Sequence, residues 1–410
     1  MDTGIRSYLM VTFGYWAFTI TDGALRMLVV LYFHQLGYSP IEVAMLFLFY
    51  ELFGIVTNLL GGWLGARIGL NRTMHIGMAM QIIALMMLTV PANWLTVVMV
   101  MAAQALSGIA KDLNKMSAKG SVKLLVGAGD DSRLLKFVSV LTGSKNALKG
   151  AGFFAGAALL ELAGFRGALW VLATMLTVVF LLALILLRTE VGKRSNKPKF
   201  SEVFSRQREI NWLAGARLFL FGARDVWFVV ALPLFLYSVL GWSFMQVGGF
   251  LATWIIGYGM VQGCAPLLLQ PRAASRSPGG AAARGWGTAL LVVTMGIAWA
   301  LPRDLDPQTV VVVGLLLFGI VFAVNSALHS YLVLAYTDVD KVSMNVGFYY
   351  MANAAGRLLG TVLSGVIYQS AGLVGCLWAA AIMLGIALLL SLPLPEVDSR
   401  IRLAGMDVAD

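Results

Sequence analysis

The chain has 410 residues, 59% of them hydrophobic and only 12% charged, with a mean hydropathy of +0.83. A soluble domain carries about twice that charged fraction, so a water-soluble fold is excluded and a lipid bilayer is the expected surroundings. The net charge of +10 does not argue for a nucleic-acid partner, because the bases lie in short connections and at selected depths inside apolar runs.

The first apolar run covers residues 8–34 and carries Asp22 and Arg26 well inside it. At about 1.5 Å per residue it exceeds the roughly 30 Å of a hydrocarbon core. It is too long for a cleaved leader, and no small-residue cleavage site follows a short core, so no signal peptide is expected. Asp22 and Arg26 are four residues apart, share one helix face and can pair. An ionisable pair at that depth is costly unless it faces protein or a wet cavity, which makes this span part of a pathway.

Eleven further spans follow, at 41–65, 73–90, 94–118, 138–162, 167–187, 209–236, 243–270, 285–301, 308–335, 342–370 and 373–393. Short connections such as Gly37-Tyr38-Ser39-Pro40 and Pro91-Ala92-Asn93 separate several of them. The expected fold is an all-α polytopic membrane protein with twelve transmembrane helices in two six-helix halves. Residues 1–188 form the first half, 189–208 a basic linker, 209–395 the second half and 396–410 a tail. With both termini cytoplasmic, the connections on that side hold twenty Lys/Arg and the opposite side holds only Arg166 and Arg303. That asymmetry is the positive-inside pattern. The linker contains Lys193-Arg194-Ser195-Asn196-Lys197-Pro198-Lys199, and Phe200 to Arg208 can form a short interfacial helix. Lys119 to Lys136 reads as a second basic internal loop, either a surface helix under the fourth and fifth spans or a lid.

Eight bases remain in or at the ends of spans: Arg26, Lys111, Lys115, Lys145, Lys149, Arg217, Arg224 and Arg357. Six acids accompany them, Asp22, Glu42, Glu51, Asp112, Glu161 and Asp225, of which Glu42 and Glu161 lie close to span ends. Lys111 and Lys115 are i,i+4, as are Lys145 and Lys149, while Arg217 and Arg224 are i,i+7, so each pair lies on one helix stripe. Asp112 and Asp225 are each adjacent to a base, point roughly 100° away from it and can pair with a neighbouring helix. Bases converging without equal acid make a site for an anion of more than one charge, and arginine suits phosphate-like oxygens. The structural alternative has the four lysines snorkelling to the surface, with Arg26 neutralised by Asp22 and Arg224 by Asp225 or Glu51. Arg217 and Arg357 have no acid near them in sequence.

Span ten adds Asn325, Ser326 and His329, and span eleven Asn345, Asn353 and Arg357; these can line the second half of a cavity. His329 is a candidate proton carrier, in competition with Asp22, Glu51 and Asp225. Trp16, Trp227 and Tyr350 are candidate cavity walls. Cys264 and Cys376 both lie in apolar runs, so neither a disulfide nor a thiolate metal site is indicated. No cofactor is expected, and nothing resembles the Gly-x-x-x-x-Gly-Lys-Ser/Thr phosphate loop. A membrane-embedded enzyme or receptor is the competing class, without a clustered acid/base set to support it.

Twelve spans in two sixes with a basic linker resemble the major facilitator superfamily. After its second span that family carries a Gly-x-Leu-Ala-Asp-Arg-x-Gly-Arg-Arg type loop. Here the stretch is Gly62-Trp63-Leu64-Gly65-Ala66-Arg67-Ile68-Gly69-Leu70-Asn71-Arg72. Gly62, Leu64, Arg67, Gly69 and Arg72 fit, Arg72 with one residue of slack, and Ala66 replaces the acid. The second-half counterpart, Gly263-Cys264-Ala265-Pro266 to Arg272, is degenerate. The fifth span lacks the proline of the drug-antiporter signature.

Over nearly its whole length the chain is also similar to the organoarsenical efflux (ArsJ) branch. The stretches that carry this are Tyr15-Trp16-Ala17-Phe18-Thr19-Ile20-Thr21-Asp22-Gly23-Ala24-Leu25-Arg26-Met27-Leu28, His34-Gln35-Leu36-Gly37-Tyr38-Ser39-Pro40 and Gly108-Ile109-Ala110-Lys111-Asp112-Leu113-Asn114-Lys115-Met116-Ser117-Ala118-Lys119. That resemblance implies a carrier in a bacterial inner membrane exporting 1-arseno-3-phosphoglycerate. A partner glyceraldehyde-3-phosphate dehydrogenase would make this cargo with arsenate in place of phosphate. The expected mechanism is alternating access, the two six-helix halves rocking around a midplane site. The convergent bases suggest that the Arg217/Arg224 stripe holds one end of such a cargo and Arg26 with Lys111 or Lys115 the other. A carrier or exchanger for arsenate, or for import or exchange of ordinary phosphorylated metabolites, is the alternative.

Overall fold

The computed structural model describes residues 3–38, 46–91, 94–126, 130–187, 204–242, 244–270 and 277–397. Most of the basic linker, Glu42 and most of the tail lie outside those residues. The described residues form helices α1 (Thr3–Gln35), α2 (Leu48–Ile68), α3 (Leu70–Met87), α4 (Val97–Val126), α5 (Asp131–Leu186) and α6 (Arg208–Phe228). They continue as α7 (Ala231–Ser238), α8 (Phe244–Leu269), α9 (Gly280–Ala300), α10 (Pro307–Ala335) and α11 (Val342–Ser391).

Two of these are too long to be single crossings. The 56 residues of α5 are broken at Gly164 (φ 67°) and the 50 residues of α11 at Gly372 (φ 61°). A positive φ is a conformation that glycine adopts without steric cost, so each long helix is two spans folded about one residue. Helices α6 and α7 run together as one span. With these divisions the described residues contain twelve spans, as the hydropathy pattern predicts. Seven helices, counting α5 and α11 once each, are long and apolar enough to cross a membrane by composition alone. Helix α4 is not among them, because charged residues punctuate its second half.

Polarity is turned inside out, as a bilayer demands. Leu181 on α5 and Val366 on α11 are exposed, whereas Asp22, Asp112, Arg217 and Asp225 are buried. The turn that resembles the superfamily loop is a single residue: α2 ends at Ile68, Gly69 sits at φ 100°, and α3 starts at Leu70. Arg67 stacks 5.0 Å from the Trp63 ring. At the start of α10, Asp306 accepts from the Thr309 backbone N–H at 2.9 Å and caps the helix.

The chain divides into two compact units that are not contiguous in sequence. One comprises residues 1–127, 144–204 and 338–351, the other 128–143, 205–337 and 352–410. In the first unit Leu25, Leu28, Phe33, Leu85, Leu169 and Leu172 form part of one core. The beginning of α11 belongs to it, and Ser343 donates to the Gly62 carbonyl at 2.8 Å. The core of the second unit is aromatic, with Trp227 edge-on to Phe318 at 5.0 Å and Phe318 stacked on Phe322 at 5.4 Å.

One sequence expectation is corrected here. Lys119 and Lys123 are not in a loop: α4 continues unbroken to Val126, and both side chains are buried, at 5% and 7% exposure.

Candidate functional site

In the first unit the close approach of two helices sets the geometry. A Cβ on Gly23 of α1 would stand 2.7 Å from the Lys149 carbonyl oxygen, and one on Gly152 of α5 would stand 2.8 Å from that of Ile20. Only glycine lets these backbones come so near, and the crossing sets Asp22 beside Lys149. The Asp22 carboxylate, for which spacing suggested Arg26, accepts the Tyr50 hydroxyl at 2.6 Å and faces Lys149 at 3.9 Å. The Arg26 guanidinium lies over the Tyr50 ring at 4.6 Å and the Phe47 ring at 5.2 Å. Lys111 reaches the Tyr50 ring from α4, at 3.8 Å. Tyr50 therefore gathers a carboxylate and two cations, one through its hydroxyl and two through its π face.

Along α4 the bases recur every four residues as Lys111, Lys115, Lys119 and Lys123, a single stripe. Asp112 takes Lys115 at 2.5 Å and Lys111 at 3.9 Å. Lys119 donates to the Tyr350 hydroxyl at 2.6 Å, and Lys115 lies 4.8 Å from the Tyr350 ring. Lys145 donates to the Asn146 side chain at 3.2 Å, and Trp16 donates to Ser144 at 2.7 Å. The side chain of Glu51 lies outside the described ones. Arg26, Lys111, Lys115, Lys145 and Lys149 thus share their region with two described carboxylates, Asp22 and Asp112.

In the second unit one aromatic ring spaces two bases on α6. Phe221 lies between Arg217, whose guanidinium is 3.8 Å from the ring centre, and Arg224 at 4.8 Å. Arg217, 3% exposed, donates to the Asn353 side chain at 2.9 Å and to the Ser326 carbonyl at 3.3 Å. Asp225 is wholly buried and holds two bases, Arg224 at 2.5 Å and Arg357 of α11 at 3.1 Å. The sequence assigns Arg357 no acid; the structure gives it Asp225. Gly356 and Gly360 allow this pairing, because the Leu218 and Gly222 carbonyl oxygens stand where their Cβ atoms would be.

Asn325 and His329 are placed elsewhere in that unit. The Asn325 amide donates to the Trp286 carbonyl at 2.7 Å and ties α10 to α9. Both residues border a pocket of about 10 Å³, with Leu220, Gly287 and Ser391, which has room for at most one water. The buried Nδ1 of His329 has no hydrogen-bond partner. Trp227 packs in the aromatic core. Tyr15, Tyr50 and Phe221 were not singled out by sequence. Their signal is spacing: Tyr15 shares a face of α1 with Asp22 and Arg26, and Phe221 fills the gap in the Arg217/Arg224 stripe.

Neither unit gathers, among its described residues, three or more His, Cys, Asp or Glu in a group suited to a metal. Both gather cationic donors, partly exposed apart from Arg217, around buried carboxylates, an arrangement whose chemistry suits acceptor oxygens.

Comparison with known proteins agrees with the architecture. Residues 11–337 match the family profile described as Major Facilitator Superfamily. A search of curated proteins by sequence returns no significant match. Among solved structures, the human organic anion transporter TETRAN is similar with a TM-score of 0.71 at 16% identity, over 95% of this chain and 100% of that one. A bacterial homologue of the iron transporter ferroportin, in an outward-facing state, gives 0.71 at 14% identity, over 95% and 98%. The Escherichia coli fucose:proton symporter FucP gives 0.73 at 11%, over 95% and 98%. At such identities these likenesses establish the fold.

Proposed function

The chain belongs to the Major Facilitator Superfamily and is a multi-pass secondary membrane transporter, and from that premise we propose that it exports a small organic anion with several acid oxygens, the organoarsenical 1-arseno-3-phosphoglycerate. The observation that supports this reading most is the charge balance of the two clusters, whose described carboxylates are buried and whose bases, Arg217 apart, are partly exposed. Five bases accompany two described carboxylates in one, and three bases accompany Asp225 in the other. Bases that outnumber the described acids beside them leave net positive charge inside the spans, which a ligand anion can complete. The cargo itself follows from the sequence resemblance. Its source is a glyceraldehyde-3-phosphate dehydrogenase acting on arsenate, and its location is a bacterial inner membrane with both termini cytoplasmic.

Everted membrane vesicles containing only this protein test the proposal. Arsenate, glyceraldehyde 3-phosphate, NAD and the dehydrogenase are supplied outside, each omitted in turn, and arsenic uptake is followed. Uptake that requires the complete mixture is the expected outcome. Uptake from arsenate alone identifies an arsenate carrier and overturns the cargo. In the complete mixture, Arg217→Ala lowers uptake by roughly tenfold or more, the effect of losing charged hydrogen bonds to an anion. Uptake by correctly inserted Arg217→Ala at the wild-type rate removes Arg217 from the binding residues.

A further inference from the structure

Tyr50 of α2 stands where α1, α4 and α5 bring charge together in the first unit. It is 1% exposed. Its place is fixed by close packing: a Cβ on Gly108 of α4 would lie 2.5 Å from the Tyr50 carbonyl oxygen. Phe47 meets its ring edge-on at 6.4 Å. The hydroxyl donates to one oxygen of Asp22 at 2.6 Å. The other Asp22 oxygen stands 3.9 Å from the Lys149 ammonium, beyond hydrogen-bond distance. Lys111 and Arg26 lie 3.8 and 4.6 Å from the centre of the Tyr50 ring.

A buried carboxylate needs hydrogen bonds or a counter-charge, and with Lys149 in reach a contact ion pair is the ordinary solution. Here a neutral phenol supplies the short bond instead and uses up no positive charge. The ring steadies Lys111 and Arg26 through its quadrupole, again without neutralising them. Asp22 is 5% exposed, whereas the Lys149 side chain is 22% and the Lys111 side chain 16% exposed. The acid is shut in, and the bases are the accessible members of the group.

We propose that Tyr50 is a positioning residue for cargo binding: its hydroxyl holds the Asp22 carboxylate off Lys149 and so keeps that base available to an anion. The inference rests on the anion-carrier reading and adds the residue that sets how much positive charge this region presents. Tyr50 acts through Asp22 and touches no cargo itself. Without the hydroxyl, the carboxylate satisfies itself on Lys149, the two close to a contact pair, and one cation is withdrawn from the site.

The probe is 3-phosphoglycerate, a stable organic anion, and its Kd is measured by protection of the purified full chain against thermal unfolding. Tyr50→Phe keeps the ring with its two cations and deletes only the hydroxyl; the Kd is expected to rise about tenfold. Asp22→Asn removes the competing charge, so adding Tyr50→Phe to it changes the Kd by less than about twofold. That double variant binds more tightly than Tyr50→Phe alone. Lys149→Gln weakens binding by itself and makes Tyr50→Phe silent, because the base through which the tyrosine acts is gone. Tyr50→Phe with the wild-type Kd overturns the role. So does a Tyr50→Phe loss that persists in full beside Asp22→Asn or Lys149→Gln, since it then comes from the ring or the fold. Either result leaves the anion-carrier reading standing, because wild type still binds the probe. A wild-type protein that 3-phosphoglycerate leaves unprotected overturns the reading itself, and the role with it.

Discussion

Asp225 holds Arg224 and Arg357 on one fully buried carboxylate, an arrangement in which removing the acid does more harm than removing either base. Asp225→Asn keeps the shape but leaves two guanidiniums without a counter-charge. It is expected to cost on the order of 3 kcal/mol of stability, measured as a lowered unfolding midpoint in detergent. Adding Arg357→Gln to Asp225→Asn recovers part of that loss; a double variant no more stable than the single one contradicts the shared-carboxylate account. The sequence made some of this legible. Adjacency placed Asp225 on a different bearing from Arg224 and assigned it a neighbouring helix, and that helix is α11. It could not name Arg357 as the partner, because a residue 132 positions away becomes a neighbour only through packing. The aromatic spacers escaped for a related reason. Tyr50 and Phe221 are unremarkable in a chain so rich in apolar residues, and only charges bracketing their rings set them apart.

At the scale of helices, small residues decide which charges meet. The α1–α5 crossing depends on Gly152 and Gly156, and a Cβ at Gly156 would stand 2.5 Å from the Ala24 carbonyl oxygen. Gly156→Leu wedges the helices apart, with an overpacking cost of about 1–3 kcal/mol. Because the same crossing sets Lys149 beside Asp22, transport falls along with the unfolding midpoint. Retention of full transport by a destabilised Gly156→Leu protein would separate the crossing from function. The glycines of this span are visible in the sequence, where the span is marked only by the missing proline of an antiporter signature and not as a contact surface. The length of α4 was misjudged because lysines at i,i+4 spacing look like the snorkelling end of a span. The helix runs to Val126, seven residues beyond Lys119, and the four-residue recurrence through Lys123 marked it all along.

For the molecule as a whole, twelve spans were readable from hydropathy, because a bilayer leaves a chain few other solutions. The loop at residues 62–72 was readable only through its resemblance to the superfamily signature. The energy source is a property of the whole carrier. Asp22, Asp225 and His329 are candidate proton carriers, and the side chain of Glu51, a fourth, is not described. Proton antiport predicts that an uncoupler collapsing ΔpH slows organoarsenical uptake in everted vesicles; a rate indifferent to ΔpH and to uncoupler leaves uniport or anion exchange. The membership of α11 has a further consequence, for biosynthesis. Residues 338–351 belong with the first compact unit and supply it with Ser343 and Tyr350. That unit is otherwise complete in the chain by residue 204, yet its last piece leaves the ribosome more than a hundred residues later. At about 5–20 residues per second, the nascent first unit waits on the order of ten seconds for the segment that covers Gly62 and holds Lys119. During that interval its basic stripe stands without Tyr350, a window in which a membrane insertase or chaperone has something to shield.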